Sequence, residues 1–529
     1  MTEPGASRTT ADVAIVGSGF AGSLTALALR SIGRSVVLLE RGSHPRFAIG
    51  ESTTPLTNLL LEQLCDRYGL DRVRALSKWG TWQATHPRIA AGLKRGFSFY
   101  HHEPGRSFRD DDDHRLQLLV GASPHDAIAD THWYRPDVDH LLVREAVQAG
   151  AEYLDRVELT AMHCRAGGAV LKGRRDGDPL RVDARFVVDA SGTRGFLQRV
   201  LGFGERPLQW LPTTQALFTH FDDVERWDRT MGDGGVAAPP FPVDDAALHH
   251  VFPGGWIWVL RFNNGITSAG AALTSPVASA IDITTEGAWE RLLARLPSVG
   301  QQFCRARAAR PVVHAPTLAF RAADIAGPAW ALLPSAAGFI DPLLSSGFPL
   351  TLFGILRLVR LLESERWDGP EFAWGLSEYA AHTTRELDAT EQLVAALYAS
   401  MSDFEQFKRL TLLYFAAASF SEAVRRLGNE SAARGFLLCD DAVFGPEARA
   451  CAAAALARPR GAARQTLLAR IDRTIDAFDV AGLGDRQRRD WYPAHASDLM
   501  AAAPKLGASR EQIQQLLERC GFAPPPASP

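Results

Sequence analysis

The first patterned stretch is Asp12-Val13-Ala14-Ile15-Val16, apolar at successive positions and closed by Gly17. Such a run fits a strand buried on both faces. An Ala/Leu-rich stretch over residues 21–32 is predicted helical and stops near Gly33. Val36-Val37-Leu38-Leu39-Glu40 reads as a second buried strand. Strand, helix and strand form a βαβ unit, which implies a parallel sheet with helices on its faces. A third such strand is predicted at Arg185-Phe186-Val187-Val188, ending in Asp189-Ala190-Ser191-Gly192. From about residue 209 the pattern becomes alternating and aromatic, and antiparallel strands are expected at 249–252, 256–260 and 267–273. From about residue 371 it turns helical, with helices predicted over 371–400, 404–426, 447–457 and 464–477. A last helix carries Ser509 as N-cap, Gln512 three residues on and Gly521 after its end.

This order predicts an α/β body with a β-rich insertion and a helical C-terminal region. The boundaries are a tail at 1–10, the body at 11–205 and 311–365, the insertion at 206–310, a helical cap at 366–521 and a second tail at 522–529. Composition leaves that picture intact: the 529 residues are 46% hydrophobic and 22% charged, with a net charge of −3. Wholesale disorder is excluded, and no basic surplus points to nucleic acid or an anionic membrane. No apolar run is read as reaching the roughly 20 residues of a membrane span, and residues 1–10 lack a signal peptide's apolar core. The six cysteines, Cys65, Cys164, Cys304, Cys439, Cys451 and Cys520, form no CxxC pair. A cytoplasmic protein without a disulfide scaffold is expected.

Gly17-Ser18-Gly19-Phe20-Ala21-Gly22 is GxGxxG between a strand and a helix. Its glycines allow a tight turn and backbone approach to a pyrophosphate at the helix's positive end. Glu40 ends the next strand, 18 residues past Gly22, where a carboxylate accepts from a ribose hydroxyl. A dinucleotide site follows. Asp110-Asp111-Asp112-Asp113-His114 reads as a solvated loop. The pairs His101-His102 and His249-His250 are expected to point apart on strands, so no metal site is assigned.

Four further segments carry a resemblance. They are Pro45-Arg46-Phe47-Ala48-Ile49-Gly50-Glu51-Ser52-Thr53-Thr54-Pro55; Gly92-Leu93-Lys94-Arg95-Gly96-Phe97; Gly255-Trp256-Ile257-Trp258-Val259-Leu260; and Phe339-Ile340-Asp341-Pro342-Leu343-Leu344-Ser345-Ser346-Gly347. In this order they resemble the motifs of flavin-dependent halogenases, on the branch acting on pyrroles and polyketides. The likeness covers about residues 10–425 and implies an FAD-binding Rossmann-like body of the flavin monooxygenase and halogenase type. Two positions depart from the family pattern. Arg261 stands where the third motif ends in proline, and Leu344 stands where tryptophan-acting members carry glutamate.

The resemblance implies electrophilic chlorination or bromination of a small electron-rich aromatic, from reduced FAD, O2 and chloride or bromide, through hypohalous acid. It assigns Lys94 and Glu51 to catalysis. It places Gly17, Gly19, Phe20, Ala21, Gly22, Glu40, Arg41, Arg46, Ile49, Ser52, Thr53, Arg135, Asp189, Phe339, Asp341 and Pro342 at the cofactor. Ser345, Ser346 and Gly347 would hold the halide in a nest of backbone N–H groups. Trp256 and Trp258, two apart and so on one strand face, would line a passage to the substrate. Lys78 is the competing lysine. A separate NAD(P)H-dependent flavin reductase is implied as partner, and the substrate arrives free or on a carrier protein. The alternatives are a flavin monooxygenase on the same scaffold, which Arg261 favours, and a non-catalytic flavin-fold binding protein.

Overall fold

The computed structural model describes residues 7–231 and 239–523, so the expected tails lie largely outside the described residues. An eight-stranded sheet forms the body. Its parallel centre runs Glu152–Leu154, Val36–Leu39, Ser7–Val16, Asp178–Asp189 and Trp330–Leu332. The first strand starts earlier than its apolar run, because Ser7 to Thr10 pair with Leu180 to Asp183 along a polar extension. Helix Phe20–Ser31 follows that strand, and Gly33 turns the chain with φ +81°.

The second sheet has nine strands, and its central order is Thr214–Asp222, Thr267–Thr274, Gly255–Arg261, Ala247–Phe252, Gly96–His101 and Gln117–Gly121. The three strands expected around 249–273 are present. The sheet is wider than the expected insertion, however, drawing two strands from residues 96–121 and one, Trp491–Tyr492, from near the C-terminus. Alternation along Gly255–Arg261 sends Trp256, Trp258 and Leu260 into the main core. Ile257 and Val259 face a second core around Trp227 and Trp289. A separate two-stranded ribbon joins Ala91–Lys94 to Asp130–Trp133.

The C-terminal helices Pro370–Ser400, Phe404–Arg426, Phe444–Leu456 and Gly461–Phe478 fall close to their predicted spans. One expectation is corrected: Leu343–Leu362 is by length and apolarity long enough to cross a bilayer. Within it, helix Gly347–Leu362 is a core helix, packed on Phe20–Ser31, Pro55–Tyr68 and Pro370–Ser400, with Ile355, Leu358, Val359 and Leu362 fully buried.

Candidate active site

The glycine motif closes the first strand as expected. Gly17 has φ +98°, a conformation open to glycine. A Cβ on Gly22 would lie 1.9 Å from the Gly17 carbonyl oxygen, so only glycine lets helix and turn pack. Above Gly19 the space is bounded by two guanidinium groups. A Cβ there would meet Arg46 Nη2 at 3.3 Å and Arg135 Nη2 at 3.4 Å. Arg135 is held by Asp139 (2.8 and 2.9 Å) and by the carbonyls of Ile49 and Gly50 (2.9 Å each). Its guanidinium lies 5.0 Å from the Phe20 ring centre. Arg46 keeps a buried Nε with no hydrogen-bond partner, 3.6 Å from Glu40. Two cations over a helix N-terminus, one of them under-used, fit a pyrophosphate.

Glu40 accepts from the Ser18 N–H (3.1 Å), the Ser18 hydroxyl (2.8 Å) and the Gly42 N–H (3.0 Å). Burial alone would raise its carboxyl, but Arg46 and these donors outweigh burial and hold it below the usual range. It stays ionised and keeps acceptor capacity for a ribose hydroxyl. The residues therefore fit the adenosine and pyrophosphate parts of FAD. Ala21 is buried in the same helix, whereas Arg41 is exposed. Asp189 accepts from Ser191 and from the Leu197 N–H at the start of helix Phe196–Leu201, and so shapes the loop beside Gly17.

Lys94 ends the ribbon strand Ala91–Lys94 and is fully buried. Glycines on either side fix it. A Cβ on Gly92 would strike the Arg261 carbonyl at 2.0 Å, and one on Gly96 the Val120 carbonyl at 2.1 Å. The amine donates to Ser52 Oγ (2.9 Å) and to the Thr53 carbonyl, 3.8 Å from the Phe97 ring centre. Burial lowers the lysine pKa, while Asp130, its register partner across the ribbon, pulls it back up. Asp130 was not legible in any motif. Thr53 is locked to Thr131 by paired backbone and hydroxyl bonds.

Beside Lys94 opens a cavity of about 200 Å³, walled by Phe97, Asn58, Asp130, Tyr414 and Phe415 and by residues near the C-terminus such as Leu499 and Leu517. Lys78 lines the same cavity, 3.9 Å from Glu62, so it is a wall residue of the site and not remote from it.

From Phe97 a row of rings crosses one face of the large sheet. Successive centres are Phe97 to Phe99 6.1 Å, Phe99 to His249 4.5 Å and His249 to Trp256 5.3 Å. The row continues from Trp256 to Trp258 at 5.6 Å, Trp258 to Phe218 at 6.4 Å and Phe218 to Phe47 at 6.3 Å. It links the lysine to the segment that follows Glu40. Glu51, next to the Ser52 that Lys94 bonds, is buried and bonded to His220 Nε2 (2.9 Å), whose ring packs on Phe47 at 4.8 Å. Burial and the Lys94 charge push His249 down to about 3, so it is a neutral member of the row. Its neighbour His250 faces the other way, as expected of adjacent strand residues, and meets His102 at 3.0 Å on that face.

Trp256 donates its indole N–H to Asp341 Oδ1 (3.2 Å), which also accepts the Leu343 N–H (3.0 Å). Tyr398 donates to Asp341 Oδ2 (2.8 Å). Burial pushes the Asp341 carboxyl up to about 7. Asp341 thus ties the tryptophan to the turn that follows Pro342, while Phe339 pairs with Phe320 just before it. Leu344 and Ser345 take positive φ, 66° and 56°, and Ser346 returns to the right-handed region. Backbone of mixed hand such as this is the kind from which anion nests are built. The Ser345 N–H donates to the Pro342 carbonyl (3.1 Å). Ser346 and Gly347 open helix Gly347–Leu362, where N–H groups have no intrahelical partner. A Cβ on Gly347 would meet nothing within 4 Å, so the space there is open.

Arg261, the departure from the third motif, points away from this row, as parity requires. It bonds Asp244 (2.9 Å) and the carbonyls of Val224 (3.0 Å) and Glu225.

Fold and site define a flavoprotein of the FAD-binding Rossmann-like class, with a buried lysine bonded to the segment that follows the glycine motif and its acid. Comparisons with known proteins agree. A tryptophan halogenase family model matches residues 131–407, and an FAD binding domain model matches residues 10–225. The chain is 31% identical to monodechloroaminopyrrolnitrin halogenase PrnC of Pseudomonas fluorescens, over 75% of this chain and 70% of that one. It is 31% identical to tetracycline 7-halogenase of Kitasatospora aureofaciens, over 77% and 73%. The crystal structure of halogenase PltM with phloroglucinol and FAD superposes with a TM-score of 0.80 at 25% identity, over 90% of this chain and 99% of that one. The chain belongs to the flavin-dependent halogenases.

Proposed function

We propose that the protein halogenates a small electron-rich aromatic, a phenol, pyrrole or indole, with hypohalous acid made from reduced FAD, O2 and chloride or bromide. The observation that carries this is Lys94: a fully buried amine bonded to the Ser52–Thr53 segment and seated 3.8 Å from the ring of Phe97, a residue that lines a cavity. Bound FAD, once reduced, supplies the two electrons that activate O2. The chain's residues do the rest. Arg46, Arg135 and the helix behind Gly19 hold the pyrophosphate, and Glu40 the ribose. The Ser346 and Gly347 amides hold the halide. Trp256 and Trp258 exclude water along the row toward Lys94. The Lys94 amine hydrogen-bonds hypohalous acid and aims it into the cavity, where Tyr414 and Phe415 pack on the substrate. Glu51, held by His220, orients the cofactor end. A separate NAD(P)H-dependent flavin reductase supplies reduced FAD, because the chain carries one dinucleotide motif. A carrier-bound substrate has precedent in a relative named as a pyrrole-2-carbonyl carrier-protein chlorinase. Arg261 no longer favours a monooxygenase, since its guanidinium is engaged at Asp244.

The test is product mass after incubation with FAD, a flavin reductase, NADH and either chloride or bromide, against a panel of phenols, pyrroles and indoles. Products whose mass follows the halide are expected. Oxygenated products formed equally without halide would overturn the reading in favour of a monooxygenase.

A further inference from the structure

Electrophilic halogenation leaves a proton on the ring carbon that takes the halogen, and something must remove it. Asp130 is placed for that work. It begins the ribbon strand Asp130–Trp133 directly opposite Lys94, is 3% exposed and lines the cavity beside Phe97 and Phe415. Its Oδ1 accepts from Asn58 Nδ2 at 2.6 Å. Its Oδ2 is buried and has no hydrogen-bond partner. A buried carboxylate oxygen left without a donor is costly unless it is used. The charged groups that face it are Lys94 across the ribbon and Glu422 and Arg426 from helix Phe404–Arg426. Arg426 is bonded to Glu62 (3.0 Å) and to Glu422 (2.7 Å), and the Lys94 amine to Ser52 and Thr53, so none of these groups bonds Asp130 Oδ2. Burial raises the carboxyl and lowers the amine, which brings the proton affinities of the two groups together.

We propose that Asp130 is a catalytic base that takes the ring proton through Oδ2. This rests on the halogenase reading above and deepens it. The arene carbon attacks the halogen of hypohalous acid: the carbon–halogen bond forms and the halogen–oxygen bond breaks. The departing hydroxide takes a proton from the Lys94 ammonium and leaves as water. The C–H electron pair then returns to the ring, and the proton goes to Asp130. Asp130 returns that proton to Lys94, which restores both groups. The balance is arene plus hypohalous acid giving haloarene plus water.

The experiment uses full-length Asp130→Asn, which keeps an acceptor for Asn58 but removes the base. Two half-reactions are measured with FAD, a reductase, NADH and bromide. A monochlorodimedone trap reads halide-dependent oxidant release. Mass spectrometry reads product from the panel member turned over best, carrying hydrogen or deuterium at the halogenated carbon. Oxidant release should persist. Product should fall about a hundredfold, the scale of losing one positioned base, with an isotope effect above about 2 that the native enzyme lacks, because proton loss becomes slow. Asp130→Glu should recover at least a tenth of the product. A fall of less than about threefold, or a larger fall without an isotope effect, overturns the proposal. If Asp130→Asn fails to fold or to bind FAD, Asp130→Ser, which also lacks the base, is read in its place with the same two outcomes. If the native enzyme gives no product whose mass follows the halide, the halogenase reading fails first, and this distinguishes the two failures.

Discussion

An amine taken wholly out of water holds its proton weakly, and Lys94 keeps its hydrogen-bonding power only through Ser52 and Thr53. Lys94→Met, similar in length but without the amine, should still bind FAD and consume O2 when given reduced flavin. Its halogenated product should fall about a hundredfold, the scale of one positioned donor. Loss of O2 consumption along with product would instead mark Lys94 as structural. At the cofactor, Gly19→Val would crowd the space bounded by Arg46 and Arg135; flavin fluorescence titration should show FAD affinity lost, and native affinity would refute the placement. Asp341 carries a pH signature. Unfolded, its carboxyl titrates near the ordinary value of about 4; folded, burial holds it up to about 7. Between these values the folded state binds more protons, so its contribution to stability falls as pH rises through that window and stays low above it. Asp341→Asn mimics the neutral acid: its oxygen keeps Trp256 and Leu343, and its amide can donate to Tyr398. Thermal melts should place it near the native protein at pH 4 and above it at pH 8. A gap that shrinks with rising pH would contradict this.

Strand Gly255–Arg261 shows what an element adds to its residues. Period-two alternation puts Trp256 and Trp258 on the aromatic row and Arg261 on the opposite face, and the sequence carried that much by parity alone. It did not carry Asp244, the fully buried carboxylate that Arg261 neutralises, because the partner lies 17 residues away in a loop with no motif. Breaking a buried pair strands the remaining charge, so Arg261→Met should cost about 3 kcal/mol in denaturant unfolding. Its product ratio between chloride and bromide should be unchanged; a shifted ratio would mean the residue acts on halide delivery after all. The same contrast runs through the chain. Helices with clean caps and long periodic runs fell near their predicted bounds, and the βαβ unit with Glu40 was legible from local pattern. Strands Gly96–His101 and Gln117–Gly121 escaped notice because their partners are remote, and one of them pairs in parallel with Ala247–Phe252. Asp130 escaped for the same reason: nothing in its own neighbourhood marks it as the residue facing Lys94.

Over the whole molecule, the cavity is assembled from segments that are far apart in sequence: Thr54 to Asn58, Phe97 with Val120 and Gly121, the helix carrying Tyr414 to Arg426, and a last wall from Val480 to Phe522. Its volume of about 200 Å³ leaves room for little more than one aromatic ring system. Ala418→Phe, at the wall, should therefore stop product formation while oxidant release in the trap assay continues; unchanged product would place the substrate elsewhere. The last wall has a consequence for how such enzymes diversify. Among the described residues it makes no hydrogen bond to the glycine motif, to Glu40 or to the turn at Ser345–Gly347, and it meets the lysine's surroundings through strand Trp491–Tyr492 on Gln117–Gly121 and through contacts of Cys520 with Lys78 and Gly521 with His125. Changes there alter which molecule fits without disturbing how the oxidant is made. New substrate preferences can then be sampled in a short stretch of gene at low risk to the older chemistry. A combinatorial library aimed at new substrates belongs at Ala481, Leu483, Leu499, Leu516 and Leu517 rather than in the motifs around Lys94.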